Sequence, residues 1–343
     1  MIALQSLLLA WAVAFLLPAC CTPLLARWLR AKGQVDRPDE RRMHHGEVPR
    51  GGGLMLAGGL IAGLLVLAPW GSDGVGSWGP CLVMIVALCT LGAIDDMRGM
   101  GIGARVIVQT VIACGVLLVW DGVGTVHLAG DWYSSRIWLL SGLALVAFLW
   151  LINLHNFMDG SDGLATQQAI WTGLAYAVIF SIEGFALEFV VASLLAIAAI
   201  GFLLWNRPRA RIFLGDSGSL LIGGVVAWLA LRALQTQSAS LATCILISSV
   251  FVVDATATLL ARLWRGEQWY TAHRSHAFQR LIDAGWSHAR VLMAYAGVNL
   301  SIVLPALVLT LMDRPLDLVL SLGVVGILLI GWLRIQSVFN GDY

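Results

Sequence analysis

Five aspartates stand in three short polar motifs at the ends of apolar runs. Asp95 and Asp96 lie in Ala-Ile-Asp-Asp (93–96), Asp159 and Asp162 in Asn-Phe-Met-Asp-Gly-Ser-Asp-Gly (156–163), and Asp216 in Phe-Leu-Gly-Asp-Ser-Gly-Ser (213–219). Carboxylates beside hydrocarbon are costly and usually mark a functional site with a counter-ion. The most economical counter-ion is a divalent metal, because carboxylate oxygens suit Mg²⁺.

Each motif has a plainer reading beside this one. Asp95-Asp96 could be two solvated carboxylates. A helix C-terminus is the wrong end of the macrodipole for negative charge, however, so the pair asks for a compensating cation. Asn153, Asn156, Asp159 and Asp162 recur every three residues and on a helical turn would share one edge. Gly160 and Gly163 alternate with the aspartates and permit close backbone approach to a ligand; a simple Asp-Gly turn is the rival. At 213–219, backbone N–H groups of a helix start can hold a phosphate, and Asp216 the metal bridging to it. A helix N-cap by Asp216 or Ser217 is the alternative there. His273 and His276 flank Arg274 without a third histidine or cysteine nearby. Phosphate or sugar recognition by Arg274 and His276 is favoured over a metal pair, since guanidinium forks suit phosphate. Asp254 stands inside an apolar run, where a structural partner is at least as good an explanation as catalysis.

The elements that must position these groups are membrane helices. Of the 343 residues 59% are apolar and only 12% charged, with a mean hydropathy of +0.84, whereas a soluble domain carries about 25% charged residues. Runs near the ~20 residues needed to span a bilayer occur at roughly 4–26, 52–70, 78–94, 104–120, 137–153, 163–182, 187–205, 218–234, 241–263, 291–311 and 316–333. The expectation is an all-α polytopic membrane protein of about 11 transmembrane helices in one domain, 1–343. With the N-terminus outside and the C-terminus cytoplasmic, 18 of the 21 Lys and Arg fall in cytoplasmic segments, leaving Arg136, Arg232 and Arg314 outside. The positive-inside rule supports that orientation, and it gathers every polar motif on the cytoplasmic face, as one cleft rather than a path through the membrane. The six cysteines show no Cys-x-x-Cys spacing and read as core residues. No strong nucleic-acid motif is present.

At these residues the chain resembles the bacterial polyprenyl-phosphate N-acetylhexosamine-1-phosphate transferases, whose superfamily includes the peptidoglycan phospho-MurNAc-pentapeptide transferase. The resemblance runs through Val35-Asp-Arg-Pro, His44, Pro49-Arg-Gly-Gly, Asp95-Asp96, Asn156-Phe-Met-Asp-Gly-Ser-Asp-Gly-Leu-Ala, Phe213-Leu-Gly-Asp-Ser-Gly-Ser and His273-Arg-Ser-His. It implies ten or eleven helices in the bacterial inner membrane, a cytoplasmic active site, Mg²⁺ with Mn²⁺ as a substitute, and two substrates, a UDP-N-acetylhexosamine and undecaprenyl phosphate, with membrane lipid around them and a homodimer in view. By position, Asp216 looks like the principal metal ligand and Asn156 a second. Asp95 and Asp96 look like the pair that positions or deprotonates the lipid phosphate. Asp159 and Asp162 match the nucleotide pocket, where Phe213 would stack on uracil. Arg42 and His44 match the first-loop substrate contacts, Arg42 replacing a lysine common among relatives. Arg274 and His276 match the loop that reads the sugar and diphosphate. That loop lacks the consecutive histidines of the peptidoglycan enzyme, which resembles the branch that initiates O-antigen or surface polysaccharide synthesis.

The reaction so implied brings an anionic lipid phosphate to an anionic diphosphate, releasing UMP, with a metal relieving the repulsion. A phosphate monoester is largely ionised at pH 7 (second pKa about 6), so orientation by Asp95 and Asp96 matters more than a strong base. A transporter of an anionic or lipid-linked solute is the rival from another class. Transporter sites, however, lie near the midplane of related halves, and here the polar motifs lie at helix ends. A CDP-alcohol phosphotransferase is disfavoured because Asp162-Gly-Leu-Ala-Thr lacks the final Ala-Arg, and an intramembrane aspartyl protease because Phe213 stands at the first glycine of Gly-x-Gly-Asp.

Overall fold

The computed structural model describes residues 4–36, 47–67, 75–120, 126–129, 132–134, 137–268 and 273–339. Arg42 and His44 lie outside the described residues. The chain is an all-α polytopic membrane protein, and a helix stands on each apolar run. In order these are α1 (Leu4–Ala31), α2 (Gly53–Leu67), α3 (Val75–Arg98), α4 (Ile102–Val119), α5 (Ile137–Phe157), α6 (Leu164–Glu183), α7 (Ala186–Asn206), α8 (Asp216–Gln235), α9 (Leu241–Trp264), α10 (Ala277–Asp283), α11 (His288–Val298), α12 (Leu304–Met312) and α13 (Asp317–Phe339). A π-helical turn, Asn299–Val303, makes α11 and α12 one continuous rod. Among the described residues nine helical segments are long and apolar enough to cross a membrane, and Gly53–Leu67 is a shorter apolar helix. Two small antiparallel ribbons interrupt the helices: β1 (Val35–Asp36) with β2 (Val48–Pro49), and β3 (Val126–Ala129) with β4 (Trp132–Ser134).

α8 is the hub. In its apolar window 83% of the residues are buried, against 22% in α1, α4 and α13, so the peripheral helices face lipid and α8 faces protein. Lipid tails are as apolar as leucine, so association in a bilayer relies on close packing of small residues rather than on hydrophobic exclusion. Glycines supply that approach. A Cβ on Gly53 would sit 2.0 Å from the Gly218 nitrogen, and one on Gly92 2.2 Å from the Asp216 carbonyl oxygen. α2 and α3 are thereby pressed against the first turn of α8, at the end of the bundle that carries the aspartates.

Buried polar groups join the rods. Asn299 in the π turn donates to Gln168 Oε1 of α6 at 2.8 Å, and Asn153 donates to Gln109 Oε1 of α4 at 2.8 Å. Arg232 holds the buried Glu188 at 2.7 Å, a pairing needed wherever a charge sits among hydrophobic helices.

Candidate active site at the N-terminus of the central helix

Three chain segments converge on the first turn of α8. The turn after β2 runs alongside the segment entering α8: Phe213 N–H donates to the Pro49 carbonyl (2.9 Å), and Gly52 and Gly53 N–H donate to the Phe213 and Leu214 carbonyls (2.8 Å each). This zipper places Arg50 over the helix start. The C-terminal end of α3 brings Asp96, and the C-terminal end of α5 brings Asn156 and Asp159.

Asp96 caps α8. Its carboxylate accepts the backbone N–H groups of Asp216 (2.8 Å) and Ser217 (3.0 Å). The N-cap itself is Gly215, at a φ of +75° and with no side chain to accept the amides; a Cβ there would lie 2.7 Å from Asp96 Oδ2. A carboxylate misplaced at the end of its own helix α3 is therefore well placed at the positive end of α8. The expectation that these amides hold a phosphate is corrected: Asp96 occupies them. The alternative of a cap by Asp216 or Ser217 also fails.

Arg50 is the compensating cation. Its Nε lies 2.8 Å from Asp96 Oδ1 and its Nη2 2.7 Å from Asp216 Oδ1, with 39% of its side chain exposed against 5% and 13% for the two carboxylates. Burial works against its charge, yet Asp216, Asp96 and Asp159 together hold its pKa above that of a free arginine. Asn156 Nδ2 also donates to Asp216 Oδ1 (2.6 Å) and to Ser219 Oγ (3.0 Å). Asp159 faces the same group while keeping part of its surface open. Packing pushes its carboxyl well above the usual range; Arg50 opposes this, and Asp216 and Asp96 add to it.

The structure thus brings together Asp96, Asn156, Asp159 and Asp216, and separates others expected beside them. Asp95 turns away: it accepts Met100 N–H (2.6 Å) and pairs with Arg105 (3.0 Å), closing the α3–α4 turn. α5 ends at Phe157, so the three-residue repeat does not share one helical edge. Asn153 points to α4, and Asp162 accepts the Arg209 and Ala210 N–H groups (3.0 and 3.1 Å), fastening the loop that leads to Phe213. Gly160 approaches the Phe278 ring, where a Cβ would sit 2.9 Å away, rather than an open ligand space. Phe213 is half-buried at the rim, bound into the zipper through its backbone.

The loop before α10 packs beside this centre. His276 is 2% exposed and its ring stacks on Phe157 and Phe278, with centroids 6.4 and 5.8 Å apart. Asp254 anchors the loop, accepting Ala277 N–H (2.8 Å) and the Tyr295 hydroxyl (2.6 Å), with His276 Nδ1 3.7 Å away. Its role is the structural one. Arg274 pairs with Asp283 at the end of α10. Burial, with help from His276 and Arg262, lowers the His273 pKa to about 4.

Sequence reasoning passed over Arg50, Arg105 and His288, the last of which bonds Ser161 and the Asp162 backbone through Nδ1 (3.1 and 3.2 Å). Arg50 carries a signal in the sequence, since it stands beside the glycines in Pro49-Arg-Gly-Gly.

Among the described residues no three His, Cys, Asp or Glu groups form a ready coordination shell. The donor chemistry nevertheless fits a divalent cation. Asp96, Asp159 and Asp216 face a single guanidinium, and Mg²⁺ is ordinarily held by one or two carboxylates completed by substrate phosphates and water.

Comparison with known proteins gives the family. A family model described as Glycosyl transferase family 4 matches residues 78–234, which include most of α3, all of α5 and the start of α8. The chain is 33% identical to a decaprenyl-phosphate N-acetylglucosaminephosphotransferase of Mycolicibacterium smegmatis, over 84% of this chain and 80% of that protein. It is 26% identical to a probable undecaprenyl-phosphate N-acetylglucosaminyl 1-phosphate transferase of Bacillus subtilis, over 94% and 89%. It is 31% identical to a phospho-N-acetylmuramoyl-pentapeptide-transferase of a Synechococcus species, over 84% and 86%. With identity of this order sustained across most of both chains, the protein belongs to glycosyl transferase family 4.

Proposed function

We propose that the protein is a polyprenyl-phosphate hexosamine-1-phosphate transferase acting on a UDP-N-acetylhexosamine and undecaprenyl phosphate. An oxygen of the lipid phosphate attacks the sugar-linked phosphorus of the donor. A new P–O–P link to the lipid forms, the old link to the nucleotide breaks, and UMP leaves with its bridging oxygen. The observation that carries this reading is the cluster of Asp96, Asn156, Asp159 and Asp216 around the first turn of α8, with Arg50 spanning two of the carboxylates.

Asp216, supported by Asn156, is the group that would hold Mg²⁺, or Mn²⁺ in its place, with Asp159 beside it. Bound there, the metal supplies neutralisation of the diphosphate and of the leaving phosphate. The chain's own residues do the rest. Asn156 fixes the Asp216 carboxylate, so that this oxygen does not reorient when substrate arrives. Arg50, whose side chain keeps an open face, receives phosphate charge through its planar fork. Asp96 locks the helix start on which both depend. Single-step transfer needs no protein nucleophile, since the acceptor phosphate is itself the nucleophile.

We place the protein in the branch that initiates O-antigen or surface polysaccharide synthesis, because residues 273–276 read His-Arg-Ser-His without consecutive histidines. The peptidoglycan reaction is the second reading. The distribution of Lys and Arg favours an inner-membrane protein with this site facing the cytoplasm, and a single domain suits one helical core. Purified protein incubated with undecaprenyl phosphate, Mg²⁺ and a panel of UDP-sugars, including UDP-MurNAc-pentapeptide, should release UMP with N-acetylhexosamine donors. Release only with the pentapeptide donor would move it to the peptidoglycan branch. No release, with solute uptake in proteoliposomes, would replace the transferase reading by a transporter.

A further inference from the structure

Proline at position 23 removes an N–H from α1, and the carbonyl it would have bonded, that of Ala19, needs another donor. Trp205 at the end of α7 supplies it: its indole N–H donates to the Ala19 carbonyl at 2.8 Å. The ring fixed in this way carries the Arg211 guanidinium, 5.3 Å from its centroid. Arg30 in turn donates to the Arg211 carbonyl at 3.4 Å. Arg27, one turn before Arg30 on α1, completes the set. These side chains surround a cavity of about 350 Å³ between α1 and the segment after α7, with Pro23, Ala26 and Ile212 as its apolar wall.

The three guanidinia are placed by a ring, a backbone carbonyl and a helix, and none of the ion pairs formed by the described residues includes them. Like charges gathered in one pocket repel unless an anion sits among them. Guanidinium forks suit phosphate oxygens, and the apolar wall suits the first atoms of a lipid tail. Basic pockets between membrane helices hold lipid head groups in this manner. We infer that the Arg27–Arg30–Arg211 pocket binds the phosphate head group of an anionic membrane lipid, apart from the aspartate centre. Ile212 in its wall directly precedes Phe213, so an occupant here would brace the segment that enters α8.

Native mass spectrometry of the full chain, offered phosphatidylglycerol, phosphatidylcholine or undecaprenyl phosphate in turn, tests this. Wild type should retain a phosphate-bearing anionic lipid in preference to phosphatidylcholine, and the stronger of the two anionic arms identifies the source. Substitution R27Q/R30Q/R211Q should weaken retention by roughly fivefold for each arginine removed, whereas R27K/R30K/R211K should restore most of it. If the triple glutamine variant melts early in detergent, Arg27→Gln alone serves, since the guanidinium of Arg27 makes no hydrogen bond to the described residues. Equal retention by wild type and the glutamine variants would overturn the site, as would no preference over phosphatidylcholine. Displacement of the lipid by an equal concentration of inorganic phosphate would reduce it to a free-anion site and overturn the lipid assignment.

Discussion

A divalent cation held by Asp216, as proposed, would compete with Arg50 for one oxygen. The guanidinium bonds Asp216 Oδ1 at 2.7 Å, the same atom that Asn156 fixes from the other side. Removing a full positive charge from this distance should tighten cation binding at least about tenfold. In Arg50→Gln, Mn²⁺ titrated by electron paramagnetic resonance should therefore bind more tightly than in wild type, while the KM for undecaprenyl phosphate rises. An unchanged Mn²⁺ affinity would show that Arg50 does not contest Asp216. His273 makes a second prediction at this scale. Its folded pKa of about 4 lies below its ordinary 6.5. Between these values the unfolded chain binds more protons, so stability falls as pH drops from about 6.5 towards 4. His273→Gln should flatten that part of the thermal-stability profile; an unaltered slope would assign the dependence to other groups.

At the scale of elements, the site exists because three helix ends are forced together at contact distance. Gly92 lets α3 reach the Asp216 backbone, and any Cβ there meets main chain that has no rotamer to yield. Gly92→Ala should cost more than the roughly 1–3 kcal/mol typical of overpacking and abolish UMP release. Gly79→Ala on the same helix, with nothing within 4 Å of the added carbon, should change the melting temperature little. Asp96→Asn tests the inter-helix cap. A carboxylate that accepts two amide hydrogens and an arginine is worth about 1.5–3 kcal/mol per charged hydrogen bond, so the variant should melt earlier with or without substrate. A variant of normal stability would deny that Asp96 holds α8 in place.

Across the whole molecule, the division of charge between the two ends predicts topology. In a cysteine-free background, Trp264→Cys at the end of α9 and Arg314→Cys between α12 and α13 occupy opposite ends of the bundle by the charge rule. An impermeant thiol reagent applied to intact cells should label the second and not the first. The reverse pattern would invert the orientation and move the aspartate centre to the outer face.

The apolar runs were enough for the helical class and for where the helices stand, the motifs for the family resemblance, and their carboxylates and asparagine for four of the residues that meet: Asp96, Asn156, Asp159 and Asp216. Helix periodicity and the cost of an unpaired carboxylate in lipid are local properties, and a sequence displays them directly. What a side chain does at the far end of a helix is decided by which helix stands opposite. Asp95 and Asp96 are neighbours in sequence, yet one closes its own turn onto Arg105 and the other caps α8. Asp162 shares a motif with Asp159 but fastens a loop instead of facing the cluster. Arg50 looked like one more charge in a basic loop until the zipper with Phe213 laid it across two aspartates. Such pairings arise from segments far apart in the chain meeting through small residues in a crowded core, which composition and spacing do not encode.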